Sequence, residues 1–349
     1  MTTSPPRPRL DAVAAMASVS LATASKVLNG HSDVAAKTRE RVEEAISTLG
    51  YQSPSARRSQ QRRTVEFMVD KLASPYAMEV LRGVTLAAEE HDIDVVVGRF
   101  RQQGDSEKPP VVWIQRLVAA QRMGAVVVTA EVDPSRYRSI TESRLPVVVI
   151  DPLQVTNPDL VSVASTNWIG GRTAAEHLIG LGHTRLAIVG GPAQSISAAA
   201  RVDGFRSACA EAGIEVDPRR VRQVVFDHDA ARKVAETWFR SGDRPTGIIA
   251  SSDAQAMGVL EAARVHGIQV PAELSLVGYD DTYIASWSNP PLTCVRQPLH
   301  DIGRVALRTL VQLDRRERPD SNHIELATTF VVRGSTAPPP TRTTTGANA

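Results

Sequence analysis

Two short runs in this chain bring together residue types that do chemistry. Asp227-His228-Asp229 has the composition of a metal cluster, because carboxylates and imidazoles are donors to a divalent ion. The run follows Val221 to Phe226, which reads as a strand, and neighbours on a strand point to opposite faces, so the three side chains rarely converge on one ion. Gly190-Gly191-Pro192 follows another strand-like run, where a doubly wound fold places its ligand loops; a plain strand-to-loop turn fits the same residues. No Gly-x-x-x-x-Gly-Lys-Ser/Thr phosphate loop, Gly-x-Gly-x-x-Gly, His-Glu-x-x-His or Gly-x-Ser-x-Gly occurs. The expectation is a protein that is not an enzyme and uses no metal and no cofactor.

The elements that must position such residues are legible in the pattern. From Thr64 onward, short β-branched runs alternate with helix-length amphipathic segments: Thr64 to Val69, Ile93 to Val97, Ala125 to Thr129, Val147 to Ile150, Leu186 to Val189, Val221 to Phe226, Gly247 to Ala250 and Leu274 to Val277. Strand, helix, strand is the rhythm of a parallel sheet, and runs without in/out alternation imply strands covered on both faces. Eight or more units exceed one ordinary open sheet, which predicts two α/β lobes. Thr166 and Asn167 are placed to cap a helix through Ile179, with Gly182 and His183 closing it. No internal repeat is visible.

A length of 349 residues, 42% hydrophobic and 22% charged, suits a soluble protein of about two domains. Apolar stretches such as Val147 to Ile150 fall far short of the ~18 residues of a membrane span. Ala12 to Ala17 followed by Ala22-Thr23-Ala24 has the outline of a signal peptide, but Asp11 opens the stretch and Ser18, Ser20 and Thr23 interrupt it, so a cytoplasmic protein is expected. Cys209 reads as helical and Cys294 as part of a strand, both as buried packing residues. Residues 1 to 63 hold ten Lys/Arg against five Asp/Glu, a charge of +5 within a total of +2. A short basic module on a nearly neutral body points to nucleic acid, with a solvated basic arm as the alternative.

Within that module, Leu10 to Ala17 carries Leu10, Val13, Ala14 and Ala17 on one face, Ser18-Val19 makes a break, and Ser20 caps Leu21 to Leu28. Asn29-Gly30 ends that helix, and Ala36 to Leu49 gives Val42, Ala45, Ile46 and Leu49 a third apolar face. This is a helix-turn-helix with a supporting helix, whose second helix enters a major groove; a three-helix bundle without a partner satisfies the same pattern.

VAAMASVSLATASKVLNG followed by VAAKTRERVEEAISTLGY resembles the DNA-binding headpiece of the lactose-repressor (LacI/GalR) family. Further segments, among them STNWIGGRTAAEHLIGLGHTRLAIVGGP, IIASSDAQAMGVLEAARVHGIQVP and SLVGYDDTYIASWSNPPLTCVRQP, are similar to the core motifs of that family, so the resemblance spans about residues 9 to 334. It implies an α/β chain: a helix-turn-helix headpiece (1–53), a hinge linker (54–63), and a two-lobed periplasmic-binding-protein-like core of doubly wound parallel sheets (64–334) crossed by three chain passages. Lobe 1 would comprise about 64–164 plus 294–320 and lobe 2 about 165–291 plus 322–334, with a disordered tail at 335–349. The implied function is a repressor, a homodimer on pseudo-palindromic double-stranded operator DNA, controlled by a small effector between the lobes.

Carried over by position, Leu21 and Ala22 match the two main base-reading positions, Lys26 and Asn29 lie on the same helix, and Ser20, Thr23, Ser25 and Thr38 suit phosphates. Leu21 and Ala22 cannot form bidentate hydrogen bonds, so they would read thymine methyls or shape; Leu21 packed on the third helix is the alternative. Three residues depart from the family pattern: Ser18 for a turn glycine, Ala35 for a capping serine and Arg9 for a capping threonine. In the linker PSARRSQQRR, many relatives carry a leucine that wedges into the minor groove, whereas Gln60 or Gln61 aligns there, depending on a one-residue shift; Arg57, Arg58, Arg62 and Arg63 would track phosphates or a narrow minor groove, with a solvated flexible tether as the alternative. Tyr76, Asp151, Arg201, Phe226, Asp253 and Asp280 match effector-contact positions, and their chemistry suits a sugar. A structural Arg201–Asp280 ion pair is the competing reading, and Trp168 and Trp287 are expected to be packing residues. A sugar-binding or sugar-modifying protein with merely structural N-terminal helices is the competing function.

Overall fold

The computed structural model describes residues 9–28, 31, 33–51, 63–99, 111–128, 134–154, 157–241 and 243–340. The chain divides into two compact units, residues 1–62 and 63–349.

In the first unit, helices α1 (Leu10–Met16) and α2 (Leu21–Leu28) are bent by 105° at their break, and α3 (Ala36–Leu49) supports both. Val13 and Ala14 from α1, Ala17 just after it, Ala24 and Val27 from α2, and Val42 and Ala45 from α3 belong to its core. Ser20 caps α2, its Oγ accepting from Thr23 N at 3.1 Å. Ser18 in the turn has φ +52°, the left-handed region that glycine enters without strain.

The second unit holds two sheets. The first contains β1 (Arg63–Val69), β2 (Ile93–Arg99), β3 (Gly124–Val128), β4 (Val147–Ile150), β5 (Ser162–Ser165) and β11 (His323–Leu326), in the order β11-β5-β4-β3-β1-β2 and parallel throughout. The second contains β6 (Leu186–Gly190), β7 (Val221–Gln223), β8 (Gly247–Ala250), β9 (Ser275–Asp280), β10 (Thr293–Arg296) and β12 (Thr329–Val331), in the order β12-β10-β9-β8-β6-β7, with only the β10–β12 pair antiparallel. The two orders are the same, so the lobes repeat a topology that the sequence does not reveal as a repeat. Helices α4 (Pro75–Glu90) and α12 (Leu299–Asp314) contribute to one core of lobe 1. In lobe 2, α7 (Asn167–Gly180) and α8 (Ile196–Glu211) cover one face and α9 (His228–Phe239) and α10 (Asp253–Val265) the other.

Several expectations change. The chain returns to lobe 1 after Gln297, not at 294, because Cys294 and Val295 pair with Gly278 and Tyr279 in the second sheet. It leaves lobe 1 for the last time after Leu326, not near 321, because β11 pairs with Ser162–Ser165. Arg63 opens β1 and pairs with Asp314, so it belongs to the core and not to the linker. Val221 to Phe226 is a strand only to Gln223: Asp227 accepts from Asp229 N (3.0 Å) and Ala230 N (3.2 Å) as the cap of α9, so Asp227-His228-Asp229 lies at a helix N-terminus. Thr166 does not cap α7 through its side chain; its Oγ1 hydrogen-bonds to Thr328.

The expected disordered tail is a docked strap as far as Pro340, and residues 341–349 lie outside the described residues. Ser335 is fully buried; its Oγ donates to Leu276 O (2.6 Å) and accepts from Thr293 N (2.8 Å). Below it, His183 is 1% exposed, with Nδ1 3.0 Å from Thr246 Oγ1 and Nε2 2.9 Å from Ala337 O. A carbonyl only accepts, so Nε2 carries the proton and Nδ1 accepts from Thr246. Burial holds the imidazole below its ordinary value of 6.5, in the neutral form.

Ending the chain at Gly334 is expected to lower core stability by about 2–5 kcal/mol, since it strands buried donors worth about 1–3 kcal/mol each; urea unfolding measures it. The unfolded chain takes up a proton at His183 near pH 6.5 whereas the folded one does not, so stability falls as pH drops through that value. In His183→Gln, the slope of melting temperature against pH between 7 and 5.5 should flatten.

Candidate functional site

In each lobe the sheet order reverses beside its first strand, β1 or β6, and the loops beyond the carboxyl ends of the parallel strands form the cleft where such folds bind ligands. Asp151 follows β4, Gly191 follows β6, Ser251 follows β8 and Asp280 ends β9. Asp151, with φ +45°, links the lobes: Tyr76 of α4 donates its hydroxyl to Oδ2, and Ser197 of α8 donates to Oδ1 at 3.1 Å. Burial, followed by the neighbouring Asp151 charge, pushes the Tyr76 hydroxyl well above its usual range.

Arg201 is 4% exposed. Its Nε donates to Asn167 Oδ1 (2.8 Å) and its Nη1 to Ser251 O (2.6 Å), while Cζ lies 3.8 Å from the centre of the Tyr279 ring and 5.8 Å from that of Phe226. Glycines place it there. A Cβ at Gly171 of α7 would stand 2.1 Å from Arg201 O, and one at Gly204 would stand 2.0 Å from Trp168 O, so only glycine lets α7 and α8 approach this closely. Gly191 serves Phe226 in the same way, because a Cβ there would lie 2.1 Å from the ring.

Asp280 lies 3.9 Å from Arg201 Nη1 and accepts from Gln297 Nε2 at 2.7 Å, while Gln297 accepts in turn from Ser165 Oγ at 2.6 Å. Burial, then the nearby Asp253 charge, pushes Asp280 up to about 8. Asp253 lies near Asp280, but its carboxylate is consumed inside lobe 2 by Thr282 N and Oγ1, both at 2.7 Å, and by the Cys294 thiol at 3.5 Å. Burial pushes it up to about 6. Asn167, Ser197, Ser251 and Gln297 escaped the sequence reading, since small polar residues there look like caps and loops.

Trp168 and Trp287 are not packed inside; Trp287 is 79% exposed, its ring 4.9 Å from Tyr283 on α11 (Tyr283–Trp287). Among the described residues no group of three or more His, Cys, Asp or Glu is arranged to hold a metal ion.

On the headpiece, Leu21 is 54% exposed, as is much of Ala22 and Lys26, so the start of α2 presents its side chains outward and Leu21 does not pack on α3. Lys26 Nζ meets Asp33 at 2.5 Å, and that contact lowers the Asp33 pKa. Ser20 and Thr23 share a hydroxyl hydrogen bond of 2.8 Å at the cap of α2, and Thr38 stands in the first turn of α3. Ser25 lies between them on α2; Asn29, Arg57 and Arg58 lie outside the described residues. No single described helix is long and apolar enough to cross a membrane.

Residues 9–54 match the bacterial regulatory proteins, lacI family, and residues 175–336 match a periplasmic binding protein-like domain. The chain is 31% identical over 339 residues to the HTH-type transcriptional regulator CelR of Thermobifida fusca, covering 94% of this chain and 98% of that protein. It belongs to the lacI family. Among solved structures it is similar to the CelR–cellobiose complex (30% identity, TM-score 0.70, 94% and 100% covered) and to the lac repressor dimer bound to operator and the anti-inducer ONPF (25%, 0.76, 95% and 100%). A lacI-family chain is a transcriptional regulator and not an enzyme. This lacI-family headpiece lacks side-chain caps at Arg9 and Ala35, as its departures from the family pattern imply.

A buried carboxyl with a raised pKa costs stability as pH climbs from about 3.8 to about 8, because the unfolded chain releases the proton and the folded one retains it. Asp280→Asn keeps the acceptor for Gln297 without that cost. The variant should melt above the wild type at pH 8.5, with the difference shrinking towards pH 5; equal melting temperatures at pH 8.5 would refute the assignment.

Proposed function

We propose that this lacI-family regulator is a cytoplasmic repressor whose affinity for a pseudo-palindromic operator is set by a sugar held in the cleft by Tyr76, Asp151, Arg201, Phe226 and Asp280. What carries the reading is Arg201, a buried guanidinium on lobe 2 that lies 3.9 Å from Asp280, in the cleft where Asp151 bonds to both lobes. A guanidinium fork offers donors, the Asp151 carboxylate accepts from hydroxyls, and Phe226 supplies an apolar face, which together suit a pyranose. The similar CelR structure is a complex with cellobiose, a sugar of this chemistry. Asp253 supports the site by fixing Thr282 beside Asp280. Ser20, Leu21, Ala22, Thr23, Ser25, Lys26, Asn29 and Thr38 face the operator in this reading, and Arg57 and Arg58 follow its phosphates.

An effector controls DNA binding only through differential affinity for two lobe arrangements. A thermal-shift screen of cellobiose, ribose and glucose, repeated with bound operator, identifies the sugar and the sign of its effect. Arg201→Ala should lose the sugar response and retain operator binding; a normal response in a stable variant would sink the assignment.

The exposed Tyr283–Trp287 pair supports burial against a second copy of the chain, because aromatic residues dominate interface energies. In Trp287→Arg, sedimentation should shift from dimer towards monomer and operator affinity should drop with it. An unchanged dimer would move the interface elsewhere.

A further inference from the structure

We infer that Arg39 and Arg41 are positioning residues that clamp the recognition helix α2 at both ends, and are not phosphate ligands. Both stand on α3, and each donates its Nη2 to backbone carbonyls. Arg41 Nη2 donates to Ala17 O and, at 3.1 Å, to Ser18 O, the residues of the turn that leads into α2. Arg39 Nη2 donates to His31 O at 2.5 Å, three residues beyond the last residue of α2. One helix thus grips the entrance and the exit of the helix that reads bases.

The need for a grip follows from local chemistry. Ser18 holds φ +52°, a conformation that L side chains adopt under strain. Neither α1 nor α3 has a side-chain cap at its N-terminus, and α1 has no basic residue in its last turn to meet its free carbonyls. Arg41 brings a cation to those carbonyls from 24 residues away, where charge and helix dipole reinforce the hydrogen bonds. Because the acceptors are main-chain atoms, the clamp tolerates any side chain in the turn, including a serine where glycine would relax the backbone.

Two of the ten basic residues that give the N-terminal module its +5 charge are therefore engaged with its own backbone. Salt dependence separates the roles, since each phosphate contact adds about one to the slope of log affinity against log salt and strengthens binding to any duplex. A positioning residue instead strengthens binding only where bases are read.

The probe is a duplex selected from a random pool by the wild-type full-length protein, compared with a scrambled duplex of equal length. The inference rests on operator binding, and the selection tests that first: failure to enrich a sequence would fault the function, whereas a normal selection leaves the clamp to be judged by variants. Arg41→Ala and Arg39→Ala should each weaken the selected duplex about 10- to 100-fold, the loss expected for charge-assisted hydrogen bonds, with scrambled binding and the salt slope unchanged. Because Arg41→Ala can melt so small a module, Arg41→Gln, which keeps an N–H donor without charge, is read beside it and should retain most of the affinity and the full slope. Ser18→Gly placed in Arg41→Ala should recover much of the loss. Equal weakening of both duplexes with a slope smaller by about one, or affinity unchanged in both alanine variants, would overturn the inference.

Discussion

The core is organised around one constraint: a guanidinium that has left water must be satisfied on every side. Arg201 meets it with Asn167, the Ser251 carbonyl, the Tyr279 face and Asp280, drawn from α7 and the ends of β8 and β9. Breaking any one contact leaves a buried cation underpaired, which is far more harmful than losing a surface pair. The close approach of α7 and α8 over Gly171 and Gly204, which looks like mere packing, is what brings Asn167 within reach of Arg201.

The same set of residues reaches the passages between lobes. Gln297 lies on the second crossing and binds Asp280 of the cleft on one side and Ser165 of the first crossing on the other. Thr166 of the first crossing binds Thr328 of the third. A rotation of one lobe against the other must therefore move through hydrogen-bonded strands that are tied to a cleft carboxyl. Such a coupling gives a ligand in the cleft a physical route to the crossings between the lobes, because the network has discrete pairings and not a continuum of them.

Much of this architecture was legible in the residues. Long β-branched runs gave away the central strands, because strands covered on both faces are apolar throughout. The strands that went unread are β5 and β11, Ser-Val-Ala-Ser and His-Ile-Glu-Leu, and β12, whose residues alternate or are small because they lie near the sheet edge and the lobe crossings. The crossings were displaced by a few residues for a related reason: Cys294 and Leu326 extend existing sheets, and nothing local marks where pairing stops. Of the cleft, the charged and aromatic members stood out, and the partners that satisfy them did not, since Asn167 and Gln297 acquire meaning only when long-range folding brings Arg201 and Asp280 to them. The strap after Gly334 misled because its composition is that of a solvated tail, whereas Ser335 is buried by partners 42 and 59 residues away.

Where the last strands fall has a consequence for the order of synthesis. The ribosome delivers the headpiece first, and its helices make their contacts within a few dozen residues of one another, so it can fold while the rest is being made. Neither lobe has that freedom. Lobe 1 waits for α12 and β11, and lobe 2 waits for β10, β12 and Ser335, all within residues 293–335. A nascent chain therefore displays a finished groove-reading module while both ligand-sensing bodies still expose open sheet edges, and the two lobes close almost together, once the stretch from Thr293 to Ser335 has emerged.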